Sequence, residues 1–235
     1  TNDANAGDFK PDWLWVKPIS ESDNPVHFDS SRGSDRQLKS NGTDAEDTHS
    51  PAKFTFLTDG FEIDSNDRNY NQSSATYVAW QWIANGGTTS SNTDGSITST
   101  VQANTTAGFS IITYTGNGST GATIGHGLGA VPSMFIIKRR SGTEDWVVYH
   151  HKNTSEPETD HVMLNLTDAT ADSDTRFNDT APTSTLITMG NNAVINGSGS
   201  TYVGYVFAEK QGYSKFGSYT GNGNADGPFI YTGFK

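Results

Sequence analysis

The 235-residue sequence contains no cysteine, which removes disulfides, thiol nucleophiles and thiolate metal sites at once. Leucine occurs 7 times and alanine 17 times, too few for a protein built on long helices. Charge is sparse as well. Asp, Glu, Lys and Arg make up 17% of the chain, where roughly 25% is usual for soluble domains. Bases are the scarcer sign, 15 against 26 acids, and the net charge of −11 repels phosphate backbones and anionic lipid. Nucleic acid is therefore not an expected partner. No apolar run reaches the roughly 18 residues of a spanning helix, so membrane insertion is not expected either. The chain opens on Thr1 with no charged-then-apolar leader, and is expected to be processed or a segment of something longer.

What fills the space is Gly, Ser, Thr and Asn, at 25, 25, 30 and 19 residues, together with an aromatic content of 11%. Aromatics bury much area per residue, and β-branched and aromatic residues between Gly/Asn turns are the material of sheets. The expected class is all-β and antiparallel, lectin-like or jelly-roll-like, with negligible helix. Strand patterns fall at 109–115, 134–138, 146–150, 162–166, 185–189, 202–208 and 229–234. Residues 29–52, 84–108 and 151–160 read as surface loops, and Asn117-Gly118 and Asn222-Gly223 as type I′ hairpin turns.

The sequence also repeats itself. Tyr114-Thr-Gly-Asn-Gly118 returns as Tyr219-Thr-Gly-Asn-Gly223. Pro11 to Lys17 followed by Val26 to Phe28 echoes Pro132 to Lys138 followed by Val147 to Tyr149, at one offset of 121 residues. Tyr77 to Ala84 parallels Tyr202 to Ala208, Phe54 to Gly60 parallels Thr185 to Gly190, and Asp8 to Pro11 resembles Gly233 to Lys235. Two tandem β-sandwich modules, residues 1–129 and 130–235, are the expectation, assembling with copies of themselves through sheet faces and edges such as 229–234.

Candidate ligand-binding residues are few. Trp13, Trp15, Trp80, Trp82 and Trp146 lie on strand-like segments, with Trp13/Trp15 and Trp80/Trp82 each on one face. Burial is the first expectation for them, and a sugar-stacking platform the second. Gly125-His126-Gly127-Leu128-Gly129 leads to Pro132. It reads as a kinked strand start that holds His126 by hydrogen bonds, with ligand binding by His126 the other reading. Acidic groups cluster at 44–47, at 62–67 and at Asp168, Asp172 and Asp174, the last set a candidate calcium site, although no EF-hand pattern occurs. Solvated loop charge is the plainer reading. No HExxH or GxSxG frame occurs, and the many acids make a glycosidase pair available only by choice. No catalytic residue is nominated, and no enzyme is expected.

The YTGNG blocks, the His-Gly-Leu-Gly-x-x-Pro turn, the Ile-Ile-Lys strand, Trp146-x-Val-Tyr-His150 and the stretch Gly212 to Gly223 resemble a β-sandwich module of virion structural proteins of tailed bacteriophages, especially marine ones. The resemblance covers residues 109–235, while the first module departs from it. It implies a non-enzymatic protein of the virion, in a tail, fibre or other appendage, with other virion proteins and its own copies as partners and a host-surface glycan as a further one. A secreted carbohydrate-binding module or polysaccharide-degrading enzyme is the alternative.

Overall fold

The computed structural model describes residues 9–233. The first half runs β1 (Trp13–Pro18), β2 (Val26–Asp29), β3 (Gly33–Lys39), β4 (Asp47–Thr48), the hairpin β5 (Phe54–Leu57) and β6 (Gly60–Ile63), then β7 (Tyr77–Trp82). It continues with β8 (Ser90–Asn92), β9 (Ser99–Asn104), β10 (Phe109–Thr115) and β11 (Ala122–Gly125). The second half holds β12 (Met134–Arg139), β13 (Trp146–His150), β14 (Asp160–Met163), β15 (Ala171–Asp172), α1 (Asp174–Phe177), β16 (Leu186–Met189), α2 (Ala193–Asn196) and β17 (Thr201–Phe207). The fold is all-β with antiparallel strand pairing, and its two helices have four residues each. Among the described residues no helix is long and apolar enough to cross a membrane.

The repeat is realised strand by strand, at the 121-residue offset in the first two strands and at a slightly longer one in the rest. A first sheet is ordered β4-β3-β2-β1-β7, and the second contains the same order in β15-β14-β13-β12-β17. Trp13↔Asp29 and Val16↔Val26 in the first become Met134↔His150 and Ile137↔Val147 in the second. Likewise Trp13↔Trp82 and Pro18↔Tyr77 become Met134↔Phe207 and Arg139↔Tyr202. Even a side-chain clamp recurs: Lys17 Nζ donates to the Asp23 carbonyl at 2.9 Å and Lys138 Nζ to the Glu144 carbonyl at 2.7 Å, tying each first strand to the loop that follows it.

The two repeats do not stand as tandem sandwiches. β10 pairs with β17 along its whole length, Phe109↔Phe207 to Thr115↔Thr201, so the second sheet extends to eight strands through β10, β9 and β8. The expected boundary at 129/130 therefore falls inside one sheet. The sheets stack instead, with equivalent faces inward. Trp13 and Leu38 of the first sheet meet Phe109, Ile111, Ile136, Trp146, Tyr205 and Phe207 of the second. The outer face of the first sheet, Leu14, Val16, Val26 and Phe28, is covered by Phe54 and Tyr70. That of the second, including Ile112, Phe135, Ile137 and Tyr149, is covered by β11, β16 and the two helices. Both faces of β12 are thus buried, and its Phe-Ile-Ile run reads as continuously apolar for that reason.

The outer layers share one device that the sequence comparison did not find. Asp67 to Asn71 and Asp174 to Asn178 each form a turn closed by an Asn N–H on the Asp carbonyl, at 2.8 and 2.9 Å. Each turn presents one aromatic edge-on to the sheet: Tyr70 to Phe28 and Phe177 to Tyr149, both at 5.7 Å. The supposed loops at 29–52 and 84–108 contain β3, β4, β8 and β9. Residues 229–233 belong to no strand, and Phe234 lies outside the described residues, as does most of the Asp8 to Pro11 and Gly233 to Lys235 match. Neither Asn-Gly pair is a type I′ turn. Gly118 and Gly223 have positive φ, but Asn117 and Asn222 do not, and Asn196 Oδ1 instead accepts from the Asn117 and Gly118 N–H groups.

Candidate functional site

Two features between the sheets hold unusual chemistry: a buried ionic cluster and an aromatic stack that opens into a groove. The cluster begins at the tight β2–β3 connection, where Asp29 and Arg32 form an ion pair with both side chains fully inaccessible. Tyr205 from the centre of the second sheet donates its hydroxyl proton to Asp29 Oδ2 at 2.8 Å. Arg32 Nη1 donates to Glu46 Oε2 at 2.9 Å, and Glu46 is also held by both Arg140 Nε and Nη2 at 2.8 Å. Two arginines, two carboxylates and one phenol thus join the β2–β3 connection and the loop before β4 to β17 and the end of β12.

Burial dominates the electrostatics here. It would lower the Arg32 pKa, but Asp29, Tyr205 and Glu46 outweigh it and hold the guanidinium charged. Burial likewise pushes Glu46 up, and bonds from Arg140 and Arg32 reverse that, leaving its carboxyl below the usual range. The Tyr205 hydroxyl is raised well above its ordinary value, chiefly by burial. His27, on the same face, is held well below 6.5 by burial and by Arg32. Its Nδ1 accepts from Trp13 Nε1 at 3.1 Å, which fixes a neutral ring. A buried ion pair of this kind is a fastener whose loss of one partner is costly.

The aromatic stack lies beside it. Trp13 is sandwiched between Tyr205 at 4.1 Å and Trp82 at 4.2 Å. Phe109 and Phe207, 5.0 Å apart, continue the stack at the ends of β10 and β17. There a groove of about 410 Å³ opens, lined by Trp82, Phe109, Met134, Phe207, Tyr213 and Phe216. Flat apolar walls with a tyrosine at the rim can take a ring, whether a side chain or a sugar face.

The tryptophans separate on this geometry. Trp13 and Trp146 are buried, and Trp146 Nε1 donates to the Lys39 carbonyl at 2.9 Å, fastening β13 to β3. Trp15 is half-buried against His27 at 4.8 Å. Trp82 lines the groove, and only Trp80 is exposed, at 45%. They form a packing ladder with one end at the groove, and not a platform. His126 is buried, its Nδ1 accepting from the Leu128 N–H and its Nε2 facing the Thr183 carbonyl. That leaves it no free nitrogen for a ligand. Gly127, at φ +72°, needs its missing Cβ because one would lie 2.6 Å from Val101 Cγ1.

Asp168, Asp172 and Asp174 are exposed. Among the described residues no three His, Asp or Glu side chains come together to hold a metal ion. Of the acidic clusters, 44–47 departs furthest from solvated charge, since Glu46 is buried in the ionic cluster.

A protein-family profile matches the whole chain. The chain belongs to the DUF7483 family. The profile, described as a domain of unknown function, covers residues 1–235. No curated protein and no solved structure matches. Within this member of the family, sequence reasoning passed over Asp29, Arg32, Arg140 and Tyr205. Asp29 and Arg32 are three apart, but Tyr205 lies 176 residues from Asp29, and no local pattern announces that pairing.

Proposed function

We propose that this chain is a non-enzymatic structural component of a tailed-bacteriophage particle, part of a tail, fibre or other appendage, that assembles with its own copies and with other virion proteins. The observation that carries the reading is where apolar surface is left. Tyr213, Tyr219, Phe229, Ile230 and Tyr231 are 62%, 70%, 89%, 46% and 76% exposed, all on the segment that follows the last strand. A protein that uses Arg32, Glu46 and Arg140 to bind its sheets together and gathers most of its exposed aromatics on the segment after its last strand is organised to be covered by a neighbour there. The resemblance of residues 109–235 to virion modules supports the same assignment. Antibody labelling of purified particles, viewed by electron microscopy, tests it: decoration of an appendage is expected, and particles free of the protein would remove the virion assignment.

The groove beside Trp82 favours one addition, adhesion to a host-surface glycan by stacking of a sugar ring on Trp82 and Phe207. Incubation with capsular or cell-wall polysaccharide is expected to give saturable binding that Trp82→Ala abolishes. Release of oligosaccharide would overturn the non-enzymatic reading.

A further inference from the structure

The two repeats differ at one edge. In the second sheet β17 is flanked by β12 on one side and β10 on the other, whereas in the first sheet β7, the counterpart of β17, pairs among the described residues with β1 alone. We propose that the open edge of β7 receives residues 217–220 of a second copy of this chain as an added antiparallel strand, linking copies head to tail. The inference deepens the self-assembly part of the reading above and is independent of the virion assignment.

Three observations select this occupant. First, the strand that fills the equivalent edge ends at Tyr114-Thr115, the start of Tyr114-Thr-Gly-Asn-Gly118, and the same five residues recur at Tyr219 to Gly223, where they are exposed and in no strand. Superimposing the two blocks places Tyr219 opposite Tyr77, as Tyr114 stands opposite Tyr202, and Gly217 opposite Ala79, as Ile112 stands opposite Gly204. Second, the sizes compensate. Ile112 lies so close to Gly204 that a Cβ there would be 2.9 Å from Ile112 Cγ1. β7 carries the larger Ala79 at that position, and the recurring segment carries glycine, so the pair is again one small residue against one larger.

Third, the hydrogen-bonding groups face the right way. The Ile19 N–H donates to the Thr76 carbonyl at 2.9 Å. By antiparallel alternation Thr76, Val78, Trp80 and Trp82 turn their backbone polar groups toward β1, and Tyr77, Ala79 and Gln81 turn theirs to the open edge. In the added strand Gly217 and Tyr219 bond to Ala79 and Tyr77, while Phe216 points its N–H and carbonyl away. Those two groups are already taken: the Phe216 N–H donates to Glu209 Oε1 at 3.0 Å, and its carbonyl meets His151 Nε2 at 3.1 Å. This clasp persists in the linked form and holds Phe216 against Phe207 of its own second sheet, at 5.8 Å. The clasp sets Phe216 in the groove beside Trp82, whereas this register sets it opposite Trp80, so the donor is assigned to another copy. Added strands of this kind gain affinity from main-chain hydrogen bonds and specificity from alternate side chains. Here Trp80, exposed at 45%, is the side chain that gains cover. Donor and acceptor are different surfaces, so the contact is heterologous and propagates into a ring or filament.

Sedimentation velocity of the full chain over a micromolar concentration series tests the link. Self-association is expected, and it is expected to be lost in Ala79→Pro, which deletes an outward N–H from the acceptor edge, and in Tyr219→Pro, which deletes one from the donor. Proline at an outward position of an edge strand leaves the inner pairing intact, and residue 219 lies outside every strand, so that variant keeps the fold. Each variant retains one sound half, and an equimolar mixture is expected to form dimers that grow no further. Monomers in that mixture would overturn the inference. Undiminished association of both variants would overturn it too, while leaving self-assembly through another surface. A wild-type chain that stays monomeric throughout would overturn both.

Discussion

The first and second sheets have the same strand order and the same register, yet they are not equally buried. β17 is buried at every position after its first, whereas its counterpart β7 has none fully buried. The positions that meet across the interface are Trp13, Trp15 and His27 in one sheet and Met134, Ile136 and Val148 in the other. At these matched positions the second sheet carries aliphatic side chains, and its aromatics Phe109, Trp146, Tyr205 and Phe207 stand elsewhere on the same face. A sheet with an open edge relies on a few large aromatics and on charges fastened to its better-covered twin. Topology was duplicated here, and stability was not.

The sharpest way to break this comparison is to remove a fastener. Arg32→Met strands Asp29 and Glu46 without their shared cation and is expected to cost about 3–5 kcal/mol in urea unfolding, as loss of one partner of a buried ion pair does. The double change Asp29→Asn, Arg32→Met, which keeps an acceptor for the Tyr205 hydroxyl and leaves Glu46 to Arg140, is expected to recover part of that loss. Trp13→Ala, emptying the space between Tyr205 and Trp82, is expected to cost about 3–5 kcal/mol as well. An intermediate effect sharpens the comparison at one matched position. Gly204→Ala puts a Cβ 2.9 Å from Ile112 Cγ1 and is expected to cost about 1–3 kcal/mol. At the counterpart in β7 alanine is already present, and no strand crowds it.

A pH titration reads histidines whose pKa burial lowers, among them His27 in the first sheet and His150 and His161 in the second. The His27 pKa lies well below 6.5, so below that pH the unfolded chain takes up a proton that the folded chain refuses. Stability therefore falls on acidification, by up to about 1.4 kcal/mol per pH unit for this group. Glu46, with its pKa lowered, adds a loss at lower pH as the folded carboxylate is protonated. His27→Val, which installs the residue of the matching position Val148, is expected to flatten the slope between about pH 6.5 and 5. Its overall stability offset is not the readout. The smallest effect is Trp80→Ala, within about 0.5 kcal/mol in the isolated chain, in contrast to Trp13.

Strands were legible wherever they bury apolar residues. β10, β12, β13 and β17 coincide with their patterns to within about a residue because alternating or continuous apolar runs mark them. β3 and β9 were invisible because polar side chains secure them. Gln102 of β9 is buried, its Oε1 accepting from the Gly87 N–H at 2.8 Å and its Nε2 donating to Ser31 Oγ at 2.7 Å. The candidate site was legible only in part. Trp82 was marked by type and spacing, whereas the groove it lines is completed by Phe207, Tyr213 and Phe216, which no local pattern connects to it.

By itself the sequence determined the all-β class, through its poverty in leucine and alanine, and the duplication, because matching residues at a fixed offset survive in the chain. Only the tertiary structure decided that the repeats stack face to face instead of following one another. That choice rests on contacts spanning most of the chain: β10 along β17, Trp13 on Tyr205, and Asp29 with Arg32 beneath the Tyr205 hydroxyl. Each such contact joins residues whose neighbours in sequence carry no sign of the partner. Local propensity and periodicity act over a few residues, and the free energy that selected this arrangement came from burying two equivalent faces against each other.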